Sequence, residues 1–200
     1  ALKTLNRPAR RSFEVPTDQT DTTRSDTAIV EPPKAPFYGV RELADFTLAD
    51  VWPHLDLKTL FRLHWGGKGV KDEAWEQLQQ EEFLPRLKRM QEEAERTAWL
   101  QPRVRYGFFP ANGDGNDLVI FDPEDHDREI ARMTYPRQPA RERLCLADYF
   151  LPLDSGRRDV VAFQIVTQGK QATTRTDHLQ SIGEYSESYF SHGLSVQSAE

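Results

Sequence analysis

Two apolar runs separated by a short polar segment lie near the middle of the chain. The first, at 104–109, mixes β-branched with aromatic residues, which is the composition of a half-buried strand. The second, at 118–121, is a continuous apolar run of strand length. The segment 112–117 between them consists of Gly, Asn and Asp, which adopt positive φ angles or bond their own backbone. The pattern predicts a β-hairpin with its turn at 112–117.

Other strands are predicted on both sides of this hairpin. An entry strand is expected at 36–41 and a third strand at 129–135. The segment 159–167 has the strongest strand composition in the chain, because it is rich in β-branched and aromatic residues. The mostly apolar segment 144–150 fits a helix and a strand equally well, so both alternatives stay open.

Helix-start signals occupy the region before the hairpin. Thr47 precedes Asp50 by three residues, which predicts a capped helical turn that Pro53 would end. Asp56 is placed to cap a second helix, in which apolar residues recur at helical spacing as far as His64. The glycine-rich segment 66–69 would end that helix.

Longer helices are predicted at 72–100 and toward the end of the chain. The first region has an amphipathic pattern, which we divide near Phe83 and Leu84 because Pro85 is tolerated only in a first helical turn. From Thr174 onward, apolar residues recur at helical spacing, so the chain is expected to end in helix. The chain stops at Glu200 without a helix-ending signal, which favours a C-terminally incomplete domain.

Charge and cysteine content restrict the class of protein. Acidic residues outnumber basic ones by 32 to 26, and this balance argues against a nucleic-acid partner. The single cysteine, Cys145, excludes an internal disulfide and a multi-cysteine zinc site, and it fits a reducing compartment. We find neither a signal peptide nor an apolar run that could span a bilayer. A cytoplasmic protein without a membrane partner is therefore expected.

The N-terminal region differs in composition from the rest of the chain. Residues 1–35 are rich in Pro, Thr, Asp, Arg and Ser and have few large apolar residues. Such a segment buries too little surface to offset the entropy of ordering, so we predict an extended arm or interdomain linker. Residues 36–200 are predicted to form the domain itself.

Two glycine-rich segments suggest ligand loops but fit simpler interpretations. The segment Gly66-Gly67-Lys68-Gly69 follows a helix and lacks the Ser or Thr of a phosphate loop, so a helix end is favoured. The segment 113–115 opens no helix and lacks the final Glu of a calcium loop, so a turn is favoured.

No residue pattern identifies a catalytic or metal centre. The five histidines have no metalloprotease spacing, and Cys145 lies in an apolar run where a buried thiol would be inert. Asp56 stands out mildly, because it is a carboxylate in the first turn of a helix near Trp52 and Trp65. A capping role is favoured over a ligand role for it.

One motif carries a resemblance to a known family. The segment 108–112, Phe-Phe-Pro-Ala-Asn, is followed by Gly-Asp and by a strand that reads Asp-Leu-Val-Ile-Phe. It resembles the C-terminal activation domain of cobalamin-dependent methionine synthase. The resemblance extends over 36–200, where further family motifs occur in order: Leu55-Asp56-Leu57 with Phe61 and Trp65, Cys145-Leu146-Ala147-Asp148-Tyr149-Phe150, and the strand 163–167 with Gly169.

The resemblance implies a fold and a role. The fold is α+β, with a twisted antiparallel sheet flanked by helices and an S-adenosylmethionine groove, and residues 1–33 would link it to a preceding cobalamin-binding domain. In the full-length methyltransferase, which also holds zinc in another domain, such a domain swings over the cobalamin domain when cobalamin has been oxidised to cob(II)alamin. S-adenosylmethionine then supplies a methyl group and flavodoxin or a similar reductase supplies one electron. The isolated domain would be catalytically inactive.

The resemblance also assigns two ligand-binding residues. Asp56 matches the family's aspartate that contacts the amino group of S-adenosylmethionine, and Glu200, in an Ala-Glu pair, matches its helix glutamate. A carboxylate is a strong partner for an ammonium group. The family's main ligand-holding segment, an Arg-Pro followed by Gly-Tyr, would lie downstream of Glu200. An alternative is therefore a module that docks on the cobalamin domain or on flavodoxin without binding S-adenosylmethionine.

Overall fold

The strands lie close to their predicted positions. The computed structural model describes residues 21–28, 30–139 and 142–200. Its strands are β1 (Gly39–Leu43), β2 (Arg103–Asp114), β3 (Asp117–Phe121), β4 (Glu129–Thr134) and β5 (Asp159–Thr167). The bounds of β5 are those predicted, and β4 ends one residue earlier than expected. β1 begins at Gly39 rather than at Pro36.

Helices account for most of the remaining regular structure. The α-helices are α1 (Leu48–Val51), α2 (Leu57–Thr59), α3 (Asp72–Gln77), α4 (Leu84–Thr97), α5 (Lys170–Ser181) and α6 (Tyr185–Gln197). Single 3₁₀ turns are formed by Trp52–His54, Leu146–Tyr149 and Leu153–Ser155. The turn at Leu146–Tyr149 resolves the helix-or-strand alternative at 144–150 in favour of a helical turn. Pro53, which was predicted to end the first helical turn, instead lies within the 3₁₀ turn Trp52–His54 that directly follows α1.

The described residues form two compact units. The first contains those up to Gly39 together with Phe108–Ala162, and the second contains Val40–Gly107 and Phe163–Glu200. The strand order of the sheet is β1-β2-β3-β4, with β5 paired to β2. The pairs β2 with β3 and β3 with β4 are antiparallel.

The predicted hairpin is confirmed, but its turn is shorter than 112–117. The register of β2 and β3 runs from Ala111 opposite Ile120 to Asp114 opposite Asp117. Only residues 115–116 remain as the loop, and Gly115 has a φ of +61°. A positive φ at the first position is what a two-residue hairpin loop of type II′ requires.

Contacts from outside the hairpin explain why the predicted turn at 112–117 is wrong. The Asn112 side chain is fully buried, and its Nδ2 donates to three main-chain carbonyl oxygens of the segment 151–157 at 2.8–3.2 Å. A Cβ on Gly113 would lie 2.3 Å from the carbonyl oxygen of Ala147. Because of these contacts, both residues extend β2 instead of forming a turn.

The predicted division of the long helical region near Phe83 and Leu84 is confirmed, although no loop separates its parts. A π-helical turn, Leu78–Phe83, follows α3, and α4 begins directly after it. Pro85 lies in the first turn of α4, directly after the π-helical turn.

The second unit has an apolar core that consists mainly of helix residues. In α4, the buried residues Leu87, Met90 and Ala94 follow the spacing of one helix face, which explains the amphipathic pattern of its sequence. The core comprises Leu48, Leu60, Phe61, Trp65, Phe83, Leu87, Met90, Ala94, Trp99, Leu100, Ala172 and Leu194. The π-helical turn Leu60–His64, which directly follows α2, contributes Leu60 and Phe61 to this core.

The C-terminal region is helical, as predicted, but the helical pattern is interrupted. Helix α5 ends at Ser181, and α6 begins at Tyr185. Gly183 has a φ of +84° in the connection, which is a conformation that ends a helix. Ile182 lies in this connection and is exposed.

Candidate functional site

Asp56 forms the N-terminal cap of α2, as the sequence predicts. Its carboxylate accepts hydrogen bonds from Thr59 N at 3.0 Å and from Thr59 Oγ1 at 2.6 Å. The side-chain hydrogen bond from Thr59, followed by the main-chain one, holds the pKa of Asp56 below its usual range. Because Asp56 is exposed, α2 presents an ionised carboxylate to solvent at neutral pH.

A cluster of aromatic side chains anchors the segment that carries Asp56. The centroid of the Trp65 ring lies 5.4 Å from the ring centroid of Phe61, 5.6 Å from that of Phe83 and 5.2 Å from that of Phe190. Trp65 Nε1 also donates to the carbonyl oxygen of Phe190 at 3.0 Å. The cap at Asp56 is therefore connected to a packed support, which is the arrangement that a precise binding group needs.

Glu200, the second predicted ligand residue, follows α6 and is exposed. The chain just before it is held by Gln168, whose Nε2 donates to the carbonyl oxygen of Ser198 at 2.7 Å. Asp56 and Glu200 both belong to the second unit. Their joint contact with one ligand stays a prediction.

The first unit contains a buried ion pair that sequence reasoning did not detect. The side chains of Arg137 and Asp148 are 5% and 1% exposed. Arg137 donates Nη1 and Nη2 to the two carboxylate oxygens of Asp148 at 2.6 and 2.9 Å, and its Nε donates to Asn116 Oδ1 at 2.9 Å. Cys145, which is buried as expected, donates its main-chain N–H to the same carboxylate at 3.2 Å.

The described part of the predicted arm is attached to this ion pair. Residues 21–28 and 30–35 form no helix or strand. Ser25 donates its main-chain N–H and its hydroxyl to the Asp148 carboxylate. Thr27 Oγ1 donates to the carbonyl oxygen of Asp148 at 2.7 Å, and Arg24 donates to the carbonyl oxygens of Asp148 and Phe150. Residues 1–20 lie outside the described residues, so the remainder of the arm stays a prediction.

We expect Asp148 to titrate far below the usual range. Burial alone raises the pKa of this carboxyl, but hydrogen bonds from Arg137 and then Ser25 outweigh burial and lower the pKa from 3.8 to about 2. The carboxylate therefore stabilises the fold above its unfolded pKa of 3.8, and this contribution disappears as the pH falls through about 2. The shift corresponds to about 2 kcal/mol of unfolding free energy. An NMR titration of the carboxyl carbon tests this value, and a midpoint near 3.8 would contradict it.

The structure also bears on the glycine-rich segment 66–69, on metal binding and on membrane spans. The segment 66–69 follows a π-helical turn, and Gly66 has a φ of +81°, in agreement with a helix end. Within the described stretches, no group of three or more His, Cys, Asp or Glu side chains could hold a metal ion. None of the helices formed by the described residues combines the length and the apolar character of a membrane span.

The fold and the site define the structural class as an α+β domain with an antiparallel sheet, accompanying helices and an ionised carboxylate at a helix cap. A family model described as "Vitamin B12 dependent methionine synthase, activation domain" matches residues 47–191. Because this match covers well over half of the sequence, the chain belongs to the family of activation domains of vitamin B12-dependent methionine synthases.

Curated relatives agree with this assignment. The methionine synthase of Mycobacterium tuberculosis (strain ATCC 25618 / H37Rv) is 32% identical over 201 residues, covering 96% of this chain and 17% of that protein. The methionine synthase of Mycobacterium leprae (strain TN) is 33% identical over 180 residues, covering 86% of this chain and 15% of that protein. The chain therefore spans about a sixth of the length of these relatives.

A solved structure has the same fold. The crystal structure of the MetH reactivation domain bound to AdoHcy matches with a TM-score of 0.67 and 23% sequence identity. The match covers 85% of this chain and 54% of that chain. At this identity the similarity establishes the fold alone, and it confirms the predicted α+β class with an antiparallel sheet and helices.

Proposed function

We propose that this chain binds S-adenosylmethionine through Asp56 and that it serves the reductive remethylation of cobalamin in a full-length, cytoplasmic methionine synthase. The observation that carries the proposal is the membership of the activation-domain family together with a helix cap that presents an ionised carboxylate. The solved structure with the same fold was crystallised with AdoHcy, the product of methyl transfer from S-adenosylmethionine.

The chemistry of Asp56 fits the ammonium group of the ligand. Thr59 supplies one hydrogen bond to each carboxylate oxygen, and an ionised carboxylate oxygen can accept a further bond. Because these bonds lower the pKa of Asp56, the group stays charged where an ammonium is also charged. A charge-assisted hydrogen bond between the two is stronger than a neutral one.

Glu200 is proposed as a second carboxylate on the cationic side of the ligand. Its exposed position after α6 leaves its side chain accessible. A carboxylate interacts favourably with a sulfonium or ammonium charge within a few ångströms. We do not assign a metal or a catalytic acid to this chain.

The contribution of the chain to the reaction is to position the ligand. S-adenosylmethionine supplies the methyl group, and cobalamin accepts it in another domain of the full-length protein. Flavodoxin or a similar reductase supplies one electron, and zinc belongs to a further domain. Holding the sulfonium methyl in a reactive orientation accelerates such a transfer without any acid or base from this chain.

Replacing Asp56 by asparagine is expected to weaken S-adenosylmethionine binding without unfolding the chain. Loss of a charge-assisted hydrogen bond corresponds to about a ten- to hundredfold lower affinity. Asparagine caps a helix about as well as aspartate, so α2 remains capped. Asp50→Asn is the matched control, because the Asp50 carboxylate also accepts two hydrogen bonds from one threonine, Thr47, and is exposed. Isothermal titration calorimetry with a C-terminally extended chain measures both affinities.

The same titration separates the proposal from its alternative, a docking module that does not bind S-adenosylmethionine. Binding by the extended chain that Asp56→Asn weakens and Asp50→Asn leaves unchanged supports the proposal. No heat from the extended chain would contradict it and would favour docking on the cobalamin-binding domain or on flavodoxin. Equal affinities of the Asp56→Asn variant and the unchanged chain would remove Asp56 from the site.

A further inference from the structure

The hydroxyl group of Thr59 contacts the carboxylate that the proposed function assigns to the ligand. Thr59 Oγ1 donates to Asp56 Oδ2 at 2.6 Å, and the main-chain N–H of the same residue donates to Oδ1 at 3.0 Å. Capping of α2 depends on the main-chain bond, because a cap serves the free N–H groups of the first turn. We propose that Thr59 is a positioning residue, whose hydroxyl orients the Asp56 carboxylate toward the ammonium group of S-adenosylmethionine. This inference rests on the proposed function.

A second pair of threonine and aspartate in the same chain lacks this arrangement. At α1, Thr47 donates its main-chain N–H and its hydroxyl to Asp50 at 2.7 and 2.8 Å, but both bonds reach the same oxygen, Oδ2. The terminal torsion of an aspartate side chain is broad, so its carboxylate has no strongly preferred plane of its own. Bonds to both oxygens fix this plane more firmly than two bonds to a single oxygen. Asp56 is therefore held in a way that Asp50 is not.

Thr59 is itself attached to the apolar core of the second unit. The next residue, Leu60, is fully buried, and its N–H donates to the carbonyl oxygen of Asp56 at 2.9 Å. Thr59 is half-buried, whereas Asp56 is exposed. The group that holds the carboxylate thus belongs to a packed segment, and the carboxylate remains open to solvent. A binding group is precise when its neighbours are fixed by packing in this way.

The bonds from Thr59 also determine which acceptor sites remain for a ligand. An ionised carboxylate has about four lone-pair sites, two on each oxygen. Thr59 occupies one site on each oxygen of Asp56, so one site on each oxygen is left for the N–H donors of an ammonium group. A carboxylate that is already ordered loses less conformational freedom when the ligand binds. The hydroxyl of Thr59 is therefore expected to increase the affinity without contacting the ligand.

Replacing Thr59 by valine tests this role. The change removes the hydroxyl, keeps a β-branched side chain and leaves the N–H that bonds Asp56 Oδ1 in place. Isothermal titration calorimetry of S-adenosylmethionine with the C-terminally extended chain is expected to show about three- to tenfold lower affinity, which corresponds to ordering one side chain. Thr59→Ser restores a hydroxyl and is expected to restore the affinity. Thr47→Val is the matched control, because it removes the hydroxyl bond to Asp50 and should leave the affinity unchanged.

An NMR titration of the Asp56 carboxyl carbon, without ligand, shows whether the hydroxyl acts on this carboxylate. The side-chain bond from Thr59 is the largest cause that lowers the pKa of Asp56, so Thr59→Val is expected to raise the midpoint. Thr59→Ser and Thr47→Val should leave it in place. The charge of Lys58 also lowers this pKa, but it is the same in all three variants. A lower affinity of Thr59→Val with an unmoved midpoint would overturn the proposal, because the variant would then act by disturbing α2.

Failure of this inference and failure of the proposed function give different results. If Asp56→Asn weakens binding and Thr59→Val does not, Asp56 binds the ligand without help from Thr59, and only this inference is overturned. Tighter binding by Thr59→Val would overturn it too, because the hydroxyl would then only reduce the basicity of the carboxylate. If the unchanged extended chain gives no heat with S-adenosylmethionine, the proposed function and this inference are both overturned.

Discussion

Replacing Asp148 by alanine is expected to lower the free energy of unfolding by about 3–5 kcal/mol. The change removes the carboxylate that receives two hydrogen bonds from Arg137, so a guanidinium with a side chain only 5% exposed would remain buried without its counter-charge. It also removes the acceptor for Ser25, whose hydrogen bonds attach the arm to the rest of the first unit. Because domains are stable by only about 5–15 kcal/mol, a loss of this size is a large part of the total.

Urea denaturation followed by far-ultraviolet circular dichroism measures the effect of Asp148→Ala. The four tryptophans, Trp52, Trp65, Trp75 and Trp99, all belong to the second unit, so fluorescence would not report on this change directly. Glu31→Ala is the control, because it breaks an ion pair with Arg157 in which both side chains are exposed. Exposed pairs contribute at most about 1 kcal/mol. Losses of similar size for Glu31→Ala and Asp148→Ala would contradict a special role of the buried pair.

The structural reason why this pair was not predicted is the distance between its members along the chain. Arg137 lies in a polar segment and Asp148 in the mostly apolar segment 144–150, but both side chains would be assigned to solvent, since Arg and Asp are seldom fully buried. Ser25, the third member, comes from an arm whose composition predicts no contacts at all. Only the folded chain brings these groups to Asn116 at the end of the hairpin. No local pattern marks such a group in advance.

Local interactions, in contrast, were predicted well. Asp56 and Thr59 are three residues apart, so the cap depends only on the sequence around it. The strand β5 depends on its own β-branched composition, and its bounds agree with those predicted. The prediction of the hairpin turn was wrong because it depends on groups that are distant in sequence: carbonyl oxygens of 151–157 hold Asn112 in β2. The conformation of a residue was therefore predictable where its hydrogen-bond partners are near it in sequence.

The same distinction applies to the candidate site. The sequence indicated Asp56 through its cap and assigned it to the ligand only through the family resemblance. Nothing in the sequence indicated that the Arg175 guanidinium lies over the Trp99 ring, because Trp99 follows α4, Arg175 belongs to α5, and four strands come between these helices in the chain. The basic side chains of α5 look like an ordinary solvated helix face until the indole is placed beside them.

Replacing Trp65 by alanine is expected to destabilise the second unit by about 3–5 kcal/mol. Trp65 is 3% exposed, and its ring contacts those of Phe61, Phe83 and Phe190. Removing the indole leaves a cavity between these rings and Gly193, which packs so closely on the indole that an added Cβ would lie 2.8 Å from Trp65 Cδ1. Urea denaturation followed by circular dichroism measures the loss, and the fluorescence of the other tryptophans reports on the same unit.

The variant Trp65→Phe separates the contribution of ring packing from that of the indole hydrogen bond. This variant keeps an aromatic ring and loses the bond from Nε1 to the carbonyl oxygen of Phe190, so a loss of about 1 kcal/mol beyond the change in ring volume is expected. Because Trp65 ends the π-helical turn that follows α2, Trp65→Ala should also displace the carboxylate of Asp56 and weaken S-adenosylmethionine binding. Similar small losses for Trp65→Ala and Trp65→Phe would contradict the role of the ring in the core. Unchanged ligand affinity in a folded Trp65→Ala variant would show that the aromatic cluster does not position Asp56.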